Sequence, residues 1–223
     1  MRRQFHEDLE TLERQVLTIG AGAREGVAKA VRSLVADDPV LAGEVVDGDN
    51  ELDRMGLEFE RLWLQTVALQ TPVAVDLRLM SVLQQMNHSV LRVGDQAVNI
   101  AKIVISTTGE PRSETIVAHL KEMGELVDPM LRMALEALER REIISRELDE
   151  MDDPVDSLNR NMYKAVVDCA DKPDELAWAT RMLVASRALE RVGDRAVFIA
   201  QQVEFLVRGT YDLEDERDPG RDG

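Results

Sequence analysis

The sequence is poor in cysteine and in aromatic residues. Its 223 residues include one cysteine, Cys169, and only 4% are Phe, Trp or Tyr. A single cysteine excludes a disulfide within the chain and is typical of proteins from a reducing compartment. With so few aromatic side chains, the core must be built from aliphatic residues, which suits helices that pack through Leu, Val and Ala.

Long apolar runs are also missing. None reaches the ~18 residues that a membrane-spanning helix needs, and residues 5–8 are polar where a secretory signal would be apolar. No run alternates between apolar and polar residues well enough to predict a β-strand. We therefore expect a soluble, all-α protein of the cytoplasm, with no segment inserted in a membrane.

Positive charge is scarce in this chain. There are 27 Lys and Arg residues against 43 Asp and Glu, which gives a formal net charge of −16 at pH 7. A protein this acidic should repel nucleic acids and anionic membrane surfaces as a whole. Its acidic faces remain available to cations or to the basic surface of a partner.

One short motif is present twice. Residues 189–196 read Leu-Glu-Arg-Val-Gly-Asp-Arg-Ala, and residues 91–97 read Leu-Arg-Val-Gly-Asp-Gln-Ala. The aspartates of the two copies, Asp95 and Asp194, are 99 residues apart. The apolar positions around each motif recur at the same offset, so the sequence consists of one unit written twice.

Apolar stripes with helical spacing predict six helices. They cover roughly residues 3–36, 39–69, 72–106, 113–140, 142–170 and 173–208. Asp38 is predicted to cap the second helix, with Pro39 in its first turn. Pro154 lies inside the fifth helix and is expected to kink it or to break it near Asp153.

The best candidate for a boundary between the two units is the small, polar segment 107–111, which contains Gly and Pro. The predicted fold is therefore all-α, with two tandem, internally duplicated three-helix bundles of antiparallel helices over residues 1–108 and 112–209. Residues 210–223 form an acidic tail, whose composition predicts disorder.

Pairs of acidic residues one helical turn apart recur in register in the two units. At about 100° per residue, both Glu190 and Asp194 point well away from their helix's apolar stripe and should face away from the core. Carboxylate oxygens on two helices can converge on a hard cation such as Mg²⁺, Mn²⁺, Ca²⁺ or Fe³⁺. The candidate ligands are Asp152, Asp156, Glu190 and Asp194 in the second unit and Asp49, Asp53 and Asp95 in the first.

Two simpler interpretations stay open at this point. Acidic pairs on a strongly acidic protein are usually a solvated helix face. Arg92 and Arg191 each precede the motif's aspartate by three residues, which favours an ion pair within the helix over binding of phosphate. The sequence has no Gly-rich phosphate loop.

The segment 189–196 closely resembles the signature of the PhoU family of phosphate-specific transport accessory proteins. The segment 70–78, Gln-Thr-Pro-Val-Ala-Val-Asp-Leu-Arg, and the spacing of Asp49 to Asp53 resemble it too, and the resemblance covers nearly all of residues 1–212. It implies two PhoU three-helix bundles with metal sites built from the acidic pairs named above. The first unit departs from the pattern because Leu91 stands at the glutamate position, so that unit is expected to bind metal more weakly or not at all.

The resemblance also implies a function. PhoU-like proteins are expected to couple the ATPase of a phosphate ABC transporter to a phosphate sensor histidine kinase, and to repress phosphate uptake and the phosphate-starvation response. Such a regulator needs stiff helical faces and, by the resemblance, forms a homodimer. It needs no nucleophile, and the sequence offers no catalytic constellation.

Two alternatives come from other classes of protein. A carboxylate-bridged di-iron enzyme would need Glu-x-x-His pairs projecting into a bundle, and none of His6, His88 or His119 has Glu three residues before it. A purely structural helical scaffold would need only the apolar stripes.

Overall fold

The computed structural model describes residues 2–210, and within that range the chain forms six α-helices and no strand. This confirms the all-α fold. The predicted acidic tail lies outside the described residues from position 211 onward. The helices are α1 (Arg2–Ala36), α2 (Pro39–Gln70), α3 (Ala74–Thr107), α4 (Glu114–Arg140), α5 (Ser145–Val167) and α6 (Pro173–Arg208).

Helix boundaries follow local chemistry at several points. The Asp38 carboxylate accepts hydrogen bonds from the backbone N–H groups of Val40 and Leu41 at 2.9 and 3.0 Å, so the predicted cap of α2 is confirmed. Thr71, with φ 42°, ends α2 in the left-handed region, and Gly209, with φ 82°, does the same for α6. A left-handed residue after the last turn satisfies a helical carbonyl that would otherwise lack a donor.

The expectation of a break near Asp153 is wrong. Helix α5 runs without interruption from Ser145 to Val167, with Pro154 inside it. Proline removes the hydrogen bond to the carbonyl of Glu150, four residues earlier. Both residues are exposed, so water can hydrate the carbonyl, and the cost is small enough for the helix to continue.

The six helices form two groups of three that share one hydrophobic core. Helix α1 packs on α2 and α3, and α6 packs on α4 and α5. The two groups meet where α1 contacts α4 and α3 contacts α6. The buried residues of all six helices form a single cluster, which includes the stripes that the repeated motif predicted on α3 and α6. Within residues 2–210, no helix is long and apolar enough to span a membrane.

Small residues let the two groups approach closely along α1 and α4. A Cβ on Gly124 of α4 would lie 2.7 Å from a methyl carbon of Val31, and one on Gly20 of α1 would lie 2.6 Å from a methyl carbon of Leu135. The glycines therefore make room for side chains of the opposite helix.

One ion pair also joins these two helices. The Arg24 guanidinium on α1 donates to both carboxylate oxygens of Asp128 on α4, each at 2.7 Å. A forked pair of this kind fixes orientation as well as distance, so it sets the register of α1 against α4.

Replacing Gly124 with alanine should destabilise the protein by about 1–3 kcal/mol, because Val31 is β-branched and cannot turn away easily. Equilibrium unfolding in urea measures the change. Gly43→Ala is the matched control, since a Cβ there meets nothing within 4 Å and alanine should add about 0.5–1 kcal/mol to helix stability. Adding Val31→Ala to Gly124→Ala should restore part of the loss. Equal stability of the two single variants would contradict this account of the α1–α4 contact.

Candidate functional site

At the glycine of the repeated motif, a carboxylate of the preceding helix approaches the helix backbone closely in both units. A Cβ on Gly193 of α6 would lie 2.2 Å from Oδ1 of Asp152 on α5, and one on Gly94 of α3 would lie 3.3 Å from Oδ1 of Asp49 on α2. The lack of a side chain therefore admits a carboxylate against the helix backbone in both units. Sequence reasoning missed this role, although both copies place glycine directly before the aspartate.

The four acidic residues predicted in the second unit come together on α5 and α6. We call Asp152, Asp156, Glu190 and Asp194 the acidic cluster. Burial first, and then the negative charges of the other three members and of Asp149, raise the pKa of Asp152 to about 7. Burial also raises the pKa of Glu190 and of Asp194. Three mutually repelling carboxyl groups therefore hold protons more tightly than they would in water.

Glu190 is not on the surface. Its side chain is buried, with 8% of the residue exposed, so the expectation that both Glu190 and Asp194 face outward is wrong for Glu190 and correct for Asp194. The reason is tertiary: α6 packs against α3, α4 and α5, so a direction away from its own apolar stripe still meets a neighbouring helix. Arg187, one turn earlier, donates to Oε1 of Glu190 at 2.6 Å.

Two carboxylate oxygens of the acidic cluster lack a donor. Oδ1 of Asp152 and Oε2 of Glu190 are buried and accept no hydrogen bond, which costs free energy unless a proton or a cation compensates. The donor set, hard oxygens from two helices, fits Mg²⁺, Mn²⁺, Ca²⁺ or Fe³⁺. As their side chains stand, no three Asp, Glu, His or Cys residues within residues 2–210 already form an arrangement that could hold a metal ion.

A cavity of about 420 Å³ opens beside the acidic cluster. Two further aspartates of α5, Asp149 and Asp153, line it with Asp152, Asp156 and Asp194. Sequence reasoning missed this pair. The signal was available, because four aspartates spaced three, one and three residues apart share one helix face.

The first unit is built differently at the corresponding place. Burial and the charges of Asp53 and Asp95 raise the pKa of Asp49, so these three carboxylates also lie near one another. At the glutamate position, however, the Leu91 side chain fills the space beside Gly56, where a Cβ would lie 2.6 Å from a methyl carbon of Leu91. An apolar side chain therefore occupies the position of a fourth carboxylate.

The two motif arginines behave differently. Arg92 donates to Asp95 at 3.2 Å, so the predicted ion pair within the helix is confirmed in the first unit. Within the described residues, Arg191 and Asp194 form no ion pair at contact distance, so that prediction is wrong for the second unit, although the charge of Arg191 still favours the ionised form of Asp194. Arg191 instead lines a groove between α3, α5 and α6, where the first unit supplies one of the walls.

Comparison with known proteins gives consistent matches over the length of the chain. A model of the PhoU domain matches twice, at residues 16–104 and 120–203. The phosphate-specific transport system accessory protein PhoU homolog of Clostridium acetobutylicum is 30% identical, over 96% of this chain and 99% of that protein. The phosphate-specific transport system accessory protein PhoU of Escherichia coli is 26% identical, over 92% of this chain and 86% of its own length.

Solved structures show the same architecture. The crystal structure of PhoU from Pseudomonas aeruginosa matches with a TM-score of 0.88 and 28% identity, over 92% of this chain and 100% of that one. The phosphate transport system regulatory protein PhoU from Streptococcus pneumoniae, at 23% identity, matches in fold with a TM-score of 0.83, over 93% and 98% of the two chains. The duplicated helical fold predicted from the sequence is confirmed.

Asp152→Asn should change how stability depends on pH in the chelator-treated protein. The pKa of Asp152 is about 7 in the folded protein and about 3.9 in an unfolded chain. The folded state therefore binds this proton more tightly, and stability falls as the pH rises from about 4 through 7. The variant should match the parent at pH 4 and exceed it by about 1 kcal/mol at pH 8, after allowing for solvent screening of the partly exposed side chain.

Urea unfolding between pH 4 and pH 8 tests this expectation. Asp168→Asn, at an exposed residue that follows the last turn of α5, is the control and should leave the pH dependence unchanged. A variant at Asp152 that is less stable than the parent at pH 8 would contradict the destabilising role assigned to the buried carboxylate.

Proposed function

This chain belongs to the PhoU family, and we propose on that basis that it is a non-catalytic regulator attached to a phosphate-specific transport system. The observation that carries the proposal is the duplicated PhoU domain, which matches 16–104 and 120–203. The relatives that match along nearly the whole chain are named as accessory proteins of phosphate-specific transport. Those names describe accessory proteins of a transport system, in agreement with the prediction that the chain is not an enzyme.

The finer form of the proposal concerns partners. We propose that the chain contacts the ATPase of a phosphate ABC transporter and a phosphate sensor histidine kinase on the cytoplasmic side of the membrane. It would act as a homodimer and repress uptake and the starvation response when phosphate is plentiful. The architecture supports this role, because two helical units that share one core form a stiff body with separate faces for separate partners.

A metal ion is proposed at the acidic cluster. Two observations support it: the buried oxygens of Asp152 and Glu190 that accept no hydrogen bond, and the raised pKa of three of the four carboxyl groups. When bound, a cation would neutralise the cluster and crosslink α5 to α6. Asp49, Asp53 and Asp95 are the weaker candidates, since Leu91 replaces the glutamate. The oxygen ligands suit Mg²⁺, Mn²⁺, Fe³⁺ and Ca²⁺.

A regulatory role predicts a clear genetic result. Deleting the gene should leave phosphate uptake and phosphate-responsive transcription high in phosphate-rich medium, and the parent sequence should restore repression. Uptake of labelled phosphate and a transcriptional reporter measure the two outputs. Asp194→Asn distinguishes a metal-tuned regulator, which should lose repression, from a scaffold, which should keep it. Unchanged uptake and expression in the deletion strain would refute the regulatory proposal.

Elemental analysis of protein purified without chelator tests the metal proposal. The parent should contain bound metal, and Glu190→Gln/Asp194→Asn should lose most of it, because two of the four carboxylates have become neutral. Asp49→Asn/Asp95→Asn is the matched variant in the first unit and should retain the metal. If the parent contains no metal even after exposure to Mg²⁺, Mn²⁺, Ca²⁺ or Fe³⁺, the metal proposal is wrong, while the regulatory proposal would still stand.

A further inference from the structure

A groove of about 690 Å³ runs between α3, α5 and α6, close to the acidic cluster. Arg160, Arg187 and Arg191 line it, and no Asp or Glu does. The chain has a net charge of −16. A concave site lined by three guanidinium groups and by no carboxylate is therefore unusual on its surface. The guanidinium groups attract anions, and the carboxylates of Asp156 and Glu190, paired with Arg160 and Arg187, offset part of that attraction.

The three arginines differ in how firmly they are already engaged. Arg187 pairs with Glu190 at 2.6 Å and Arg160 with Asp156 at 3.5 Å, and both arginine side chains remain more than half exposed. The Arg160–Asp156 pair is exposed on both sides and contributes little free energy, so an incoming anion can compete for Arg160. Arg187 is held by the buried carboxylate of Glu190 through one N–H group and can offer only its remaining donors. Within the described residues, Arg191 forms no ion pair at contact distance and no side-chain hydrogen bond, so its five N–H donors can reach a ligand. Its charge already acts on the acidic cluster, where it favours the ionised forms of Glu190 and Asp194.

The side-chain amide of Asn159, which lines the groove, is oriented by a hydrogen bond to its oxygen. The buried hydroxyl of Ser186 donates to Oδ1 of Asn159 at 2.8 Å. With its oxygen engaged, Asn159 presents its NH₂ group as the remaining polar function. The groove therefore combines three cationic donors with one oriented neutral donor, which is the chemistry that recognises phosphoryl oxygens.

The size and the apolar lining of the groove indicate a ligand larger than a single small ion. A volume of about 690 Å³ lies within the roughly 300–1,000 Å³ range of sites for small organic ligands. Tyr163 and Val184 line the groove and are 68% and 57% exposed. They offer a ring and an aliphatic surface to the non-phosphate part of a ligand.

We propose that this groove binds a small molecule carrying two or more phosphoryl groups, with Arg191 as the principal anchor and Arg160, Arg187 and Asn159 as supporting donors. The ligand would touch both units, because Gln96 and Asn99 on α3 form the wall that faces α5 and α6. Binding would therefore add contacts between the first unit and the second. The proposal does not depend on a metal at the acidic cluster.

Isothermal titration calorimetry with ATP, pyrophosphate and inorganic phosphate tests the proposal. Each titration is run at constant ionic strength with chelator present, so that the result is independent of any metal. ATP or pyrophosphate should bind, and inorganic phosphate should bind more weakly than either. Binding of both larger probes would indicate that the phosphoryl groups suffice, and binding of ATP alone would indicate that the organic part also contributes.

Arg191→Gln should weaken binding about tenfold or more, because it removes a charge-assisted contact. Arg92→Gln is the matched control: it changes the same motif position in the first unit, outside the groove, and should alter affinity less than about twofold. Val184→Asp introduces a carboxylate at an exposed groove position and should abolish binding while circular dichroism stays unchanged.

Several results would overturn the assignment. They are the absence of binding by ATP and pyrophosphate at millimolar concentration, equal affinity for inorganic phosphate, and equal loss of affinity in Arg191→Gln and Arg92→Gln. An acidic peptide that binds where ATP and pyrophosphate do not would also refute the proposal, since the groove would then be a surface for a protein partner.

Discussion

The contact between the Asp152 carboxylate and Gly193 determines the chemistry of the acidic cluster. It places the buried Oδ1 of an ionisable group directly against a helix backbone, close to the charges of four other carboxyl groups. Burial makes the ionised form costly, and like charges add to that cost. Ionised carboxylates at the crossing of α5 and α6 therefore lower the stability of the folded protein, and neutral side chains at these positions would not. Groups with strongly shifted pKa values of this kind are typical of functional sites, where a bound ligand offsets the cost.

The duplicated scaffold has kept its helices and changed its chemistry. The second unit has Glu190 with an arginine partner and a free oxygen, whereas the first has Leu91 packed over Gly56. The arginines have diverged as well: Arg92 is paired to Asp95, while Arg191 points its charge into the groove between the units. At the repeated motif, therefore, the second unit has a buried carboxylate oxygen without a donor and an arginine facing the groove, which the first unit lacks, so the two halves are not equivalent binding modules.

Helical periodicity predicted most of the fold, because an apolar stripe specifies which face of a helix is buried and the cap at Asp38 specifies where one begins. The candidate acidic cluster was also predictable, since its members recur in register. The burial of Glu190 was not, because one helix's periodicity does not reveal that α6 has neighbours on three sides. The arginine groove could not be predicted for a similar reason: its walls come from helices of both units, and only the packing of α3 on α6 brings them together.

The packing of Leu91 against Gly56 also limits how this chain can change over time. A Cβ at position 56 would lie 2.6 Å from a methyl carbon of Leu91, so any larger residue there requires the leucine side chain to shift. The effect of a substitution at position 56 therefore depends on which residue stands at position 91. Changes at the two positions are not expected to be additive in stability, because the residues are in contact. The two positions are epistatic, and this coupling belongs to the first unit alone, where leucine stands at the glutamate position.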